Sequence, residues 1–141
     1  MYYNKKEEER REFFHNISFR DKEGNLTKEL LYEKAKKTAE YFEKSNLTTS
    51  QLRKFYNEVK SLEAKIEATE GNDDEKYKKN EALIYMLISK VNYSYNRDKS
   101  KVEALKDFIE EMVPKIKNLQ DFKDFAKFFE AIVGFADLKR R

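Results

Sequence analysis

Residues 48–72 read TTSQLRKFYNEVKSLEAKIEATEGN, and this stretch decides the fold class. Thr48 followed by Gln51 is a capping box. The hydroxyl and the amide each satisfy a backbone donor that the first turn of a helix leaves unpaired. Behind it Leu52, Phe55, Tyr56, Val59, Leu62 and Ile66 recur at three- and four-residue spacing, forming one apolar stripe. Gly71-Asn72 then stops the helix.

The pattern continues on both sides. Upstream, Thr27 can cap a helix that buries Leu31, Ala35, Thr38 and Phe42 and ends near Asn46. Downstream, Asp73 or Asp74 is expected to cap a long helix with Tyr77, Ile84, Leu87, Ile88, Val91 and Tyr95 inward. Leu83 and Met86 widen its apolar surface and mark it as the central helix. Ser100-Lys101-Val102-Glu103 reads as a second capping box, opening a helix with Val102, Leu105, Ile109, Met112 and Val113 on one side. Pro114 ends or kinks it, since proline donates nothing to the ladder and clashes with the preceding turn. Asn118 can cap a last helix carrying Phe122, Phe125, Phe129, Ile132, Val133 and Ala136. Residues 1–25 show no clean period. The first dozen are expected to fray, Phe13, Phe14, Ile17 and Phe19 to dock, and Asp21–Asn25 to form a turn. The expectation is an all-α protein: a compact bundle of about five helices over residues 26–141, preceded by a partly disordered segment over 1–25.

Composition excludes most alternatives. With three Gly and one Pro in 141 residues, turn formers are too few for a sandwich or barrel. Eleven Phe and nine Tyr are too many for a chain that stays unfolded. Cysteine is absent and His15 is the only histidine, so disulfides, thiol nucleophiles and His-pair metal sites are excluded. Metals and cofactors are accordingly not expected. The longest apolar run, Ala82–Ile88, is far short of the roughly 20 residues a membrane span needs. Met1-Tyr2-Tyr3-Asn4 leads straight into charged residues, with no apolar signal region. A cytoplasmic protein is expected. The net charge of +3 is evenly spread, so an anionic partner requires folding to sort the basic residues onto one face.

Catalysis finds no support. There is no Gly-rich phosphate loop, nucleophile elbow or Glu-x-x-His pattern, and pairs such as Asp73-Asp74 and Glu110-Glu111 read as caps or solvated faces. No catalytic residue is assigned. A basic, aromatic-interleaved face is the better signal. Met86, Lys90, Tyr93 and Arg97 share one side of the long helix, opposite its apolar stripe, and Lys99 and Lys101 follow. A phosphate backbone needs such a line of long cations, and Tyr93 can stack on a sugar or base. Arg53, Asn57 and Lys60 flank the stripe of the helix behind Thr48, with Lys54 beside them. On the last helix Lys123 and Lys127 share a face with Gly134, whose missing side chain permits close approach of another backbone. Solvated faces with local ion pairs explain the same stripes. A further apolar line, Phe128, Ala131, Phe135 and Leu138, widens the last helix. It is covered by the N-terminal aromatics or by another chain.

Three stretches together resemble a known family: Asn46-Leu47-Thr48-Thr49-Ser50-Gln51-Leu52-Arg53-Lys54-Phe55-Tyr56, then Tyr93-Ser94-Tyr95-Asn96-Arg97, then residues 125–135, FAKFFEAIVGF. In order and separation they are similar to the small subunit of type III-A CRISPR effector (Csm) complexes, over about residues 26–138. The resemblance implies a non-catalytic subunit that stacks in several copies beside the backbone subunits and near the large signature subunit. There it would line the guide RNA–target RNA duplex and touch its backbone without reading sequence. RNA cleavage would belong to the backbone subunit, and DNA cleavage and cyclic oligoadenylate synthesis to the large one. Carried onto this sequence, Arg53 and Arg97 are the first candidates for RNA phosphate contact, followed by Lys54, Lys60, Lys90 and Lys127. Asn96 departs from the small residue expected before Arg97. Partners would be guide and target RNA, the large and backbone subunits and neighbouring copies, with no membrane. The alternative is a helical protein-interaction module with no nucleic-acid role, docking through Phe128, Phe135 and Leu138.

Overall fold

Seven buried phenylalanine rings meet where the helices cross, and they set the architecture. Phe14, Phe42, Phe108, Phe122, Phe125, Phe128 and Phe129 have essentially no exposed surface. Phe108 lies among five of them, edge-on to Phe14 and Phe42 and close to Phe125, Phe128 and Phe129. Such offset and edge-to-face pairs add to the gain from burial itself.

The computed structural model describes residues 4–139. Its helices are α1 (Lys5–His15), α2 (Ala35–Lys44), α3 (Thr49–Ala68), α4 (Asp73–Arg97), α5 (Lys99–Met112) and α6 (Leu119–Phe135). A π-helical stretch (Glu29–Lys34) runs directly into α2, and a 3-10 turn (Val113–Lys115) closes α5 at Pro114. The all-α bundle is as expected, and its five helices are joined by α1.

The caps follow the sequence at three of five places. Thr48 Oγ1 accepts from the Gln51 amide at 3.1 Å while the Gln51 side chain accepts from Thr48 N at 2.9 Å. Asn118 accepts from Asp121 N at 2.8 Å, and Thr27 from Leu30 N at 3.1 Å. The other two expectations are corrected. Asn72, not Asp73 or Asp74, caps α4, in a reciprocal box with Glu75. The Ser100–Glu103 box does not form, because α5 starts at Lys99, with a single residue between it and the end of α4. Asp98 is the whole joint; its carboxylate accepts from the Gln51 side chain at 3.0 Å. Removing the cap hydroxyl with Thr48→Ala is expected to cost about 1 kcal/mol, read from urea unfolding.

The middle of the bundle is α6, not α4. Nine of its 17 residues are buried, against five of 25 in α4. α6 packs on α2, the π-helical stretch and α3, whereas α4 leans on α5 and α3 and leaves Tyr85, Met86 and Tyr93 outside.

The N-terminal segment differs most from expectation. Residues 5–12, expected to fray, lie in α1, which packs along α5. Charge holds it there. Arg10 is 7% exposed, and its Nε and Nη2 donate to Asp107 Oδ2 at 2.9 and 2.6 Å. Arg11 reaches the other oxygen at 2.7 Å and Glu110 at 3.1 Å. Burial pushes the Asp107 carboxyl above its ordinary range, against the opposing pull of the two arginines. Glu110 sits lower than usual because Lys106 and Arg11 bond it, outweighing the effect of its own burial. Farther on, Arg20 bridges Asp121 and Asp124 at the start of α6.

Candidate nucleic-acid interface

Helix α3 divides the expected RNA-contacting residues into two groups. Successive residues on a helix point about 100° apart, so Arg53 and Lys54 face opposite sides of the α3 ridge. Lys54 looks toward α4, together with Phe55 and Glu58, while Arg53, Asn57 and Lys60 look toward α6.

On the α4 side, α3, α4 and α5 enclose a groove of about 510 Å³. It collects Lys54, Lys90 and Arg97, three of the six expected contacts, with Tyr93 on its wall. Lys90 Nζ bonds Glu58 across the groove at 2.7 Å. Arg97 lies over the Tyr93 ring, 5.5 Å from its centre, and donates to the phenol oxygen at 3.2 Å. Among the described residues neither Lys54 nor Arg97 has a carboxylate within ion-pair distance. The spacing that puts Lys90, Tyr93 and Arg97 on one face of α4 was legible in the sequence. That Lys54 stands opposite them was not.

On the α6 side the other three do not form one patch. Arg53 borders a hollow with Tyr56, Val133, Ala136 and Leu138. Lys60 is engaged by Glu63 at 3.0 Å and Glu130 at 3.6 Å, and the bond to Glu63 raises its pKa. Lys127 lines a neighbouring groove with Lys60 and Lys123. Gly134 faces open space, with no atom of the described residues near the position of an added Cβ.

The expected protein interface is corrected at one residue. Phe128 is fully buried, packed against Phe108 inside the bundle, and is core. Phe135 is 38% exposed and rests on Tyr32, itself 49% exposed, with ring centres 5.7 Å apart. Leu138 is half-buried, and its carbonyl accepts from the Thr49 hydroxyl at 3.2 Å. Sequence periodicity missed a further grouping of cations, of which it marked Lys101 alone. Lys44, Lys101 and Lys139 share a polar hollow at the end of the bundle with Ser45, Asn46, Ser100 and Glu103. They come from three distant segments, so no local spacing signals them.

Among the described residues no group of His, Cys, Asp and Glu could hold a metal ion. None of the described helices is long and apolar enough to cross a membrane.

The family model described as Csm2 Type III-A matches residues 25–138. The chain belongs to that family. Csm2 proteins are non-catalytic and serve as the small subunit of the type III-A Csm ribonucleoprotein complex. The matched span takes in the π-helical stretch and α2 to α6, both faces of α3, and the groove. It stops short of α1. No curated protein and no solved structure matches the chain.

Proposed function

We propose that this Csm2 protein contacts the guide RNA–target RNA duplex through its backbone, without reading sequence, and that several copies stack along it. The observation that carries the reading is the groove, where Lys54, Lys90 and Arg97 come from two helices to one concave, cationic rim. Phosphates are bound by such cations, while specificity is left to pairing with the guide. A net charge of only +3 suits neighbouring copies, since strongly charged subunits would repel each other. Arg53, Lys60 and Lys127 are weaker candidates, because they are split between two hollows and Lys60 already serves two carboxylates. The exposed Tyr32–Phe135 pair and Leu138 are the candidate contact with a neighbouring copy or with the large or backbone subunits. A cytoplasmic location goes with this reading.

The test is RNA binding measured across salt concentrations, by fluorescence anisotropy on a paired RNA. Affinity should fall linearly in log–log form as counterions are released. Arg53→Ala and Arg97→Ala should each flatten the slope by about one phosphate. Binding that is weak and indifferent to salt would overturn the proposal in favour of a protein-interaction module. Pull-down of the tagged protein from its host would report the same choice: guide RNA with large and backbone subunits, or one protein and no RNA.

A further inference from the structure

The groove between α3, α4 and α5 has a feature that phosphate contact leaves unexplained. Its floor is apolar, made by Phe55, Val102 and Leu105, and its wall is Tyr93, which is 60% exposed. A bound phosphate needs neither. The groove is also short. Gln51–Asp98 ties α3 to the α4–α5 joint at one end, and Glu58–Lys90 ties α3 to α4 at the other. Six residues of α3 lie between the two ties, which are about 10 Å apart along the helix. Its volume of about 510 Å³ falls in the range of small-molecule sites, roughly 300–1,000 Å³.

We propose that this groove takes the base of one unpaired RNA nucleotide, laid against Tyr93 over the apolar floor, with the flanking phosphates on Lys54, Lys90 and Arg97. The proposal rests on the RNA-binding reading above and names what the same site holds. Tyr93 is held in place before any ligand arrives, because the Arg97 guanidinium lies over its ring and donates to its hydroxyl oxygen. Stacking tolerates every base, since each has a π-face, so the site adds affinity without adding sequence preference. Two acids line the groove as well. Asp98 is held by the Gln51 amide and Glu58 by Lys90, so an entering phosphate competes with Glu58 alone for Lys90. The cationic rim selects an anionic occupant over an apolar protein side chain.

The experiment compares two RNA duplexes that differ by a single unpaired adenosine in the middle of one strand. Wild-type protein should bind the bulged duplex about tenfold more tightly, the effect of one stacked base. Tyr93→Leu should abolish that preference and Tyr93→Phe should retain it, because the ring and not the hydroxyl does the stacking. Both variants should keep the salt slope, which reports phosphates alone. Equal affinity of the wild type for the two duplexes, with the salt slope intact, overturns the base pocket and leaves the phosphate reading standing. A bulge preference that survives in Tyr93→Leu overturns it too. Salt-insensitive binding would instead remove the RNA reading beneath it.

Discussion

Asp107→Ala is expected to destabilise the protein by about 3–5 kcal/mol, because it strands the Arg10 guanidinium in the interior. Both Arg10 and Asp107 are buried, and three donors from α1 converge on this one carboxylate. Taking the Asp107 carboxylate and the Arg10 guanidinium out of water carries a cost that their attraction does little more than offset. The intact pair is therefore a modest source of stability and a large penalty when broken. In thermal melts the loss should lower Tm by on the order of 10 °C for a chain of this size. The paired replacement Arg10→Met with Asp107→Leu should recover most of it, since neither partner is then left charged and alone. An Asp107→Ala protein that melts within 2 °C of wild type would mean that the buried Arg10–Asp107 pair does not hold α1 in place.

Replacing Lys54, Lys90 and Arg97 together by Ala is expected to take about three phosphates out of the salt dependence of RNA binding, close to 0.9 in log–log slope for each. All three side chains are exposed, so stability should change by less than about 0.5 kcal/mol per site. The Lys90–Glu58 bridge adds little to that, since exposed ion pairs are worth about 0–1 kcal/mol. The loss of slope would then be a binding effect in a folded protein, which circular dichroism would verify on the same sample. An unchanged slope would move the RNA to the other side of α3, where Arg53, Lys60 and Lys127 lie.

Much of this was legible along the chain because helices are local objects. Thr48 with Gln51, Asn118 with Asp121 and the proline at 114 mark ends through contacts within four residues, and the structure keeps each of them. The misreadings were also local. Asn72, Asp73 and Asp74 are all good caps, and only the path of the chain out of Gly71, at φ 119°, decides which one faces the first turn. The Ser100 box failed because α4 and α5 share a single joint residue, which leaves no room for an extended cap at Ser100. Charge-rich α1 has almost no apolar period, and its order comes from pairing with acids some hundred residues away.

The sequence by itself determined the class, the helices from Thr27 onward and the face of α4 that carries Lys90, Tyr93 and Arg97, because all of these follow from spacing along one helix. It also placed the chain in its family by the order of three short stretches. Tertiary structure alone decided that Phe128 is core while Phe135 is surface, that α6 rather than α4 is enclosed, and that Lys54 joins the α4 cations while Arg53 turns away. A helix stripe states which residues share a side, but the neighbours that side meets are set by packing. For α3, flanked by α4 and α6, neighbouring residues one helical step apart end in different grooves.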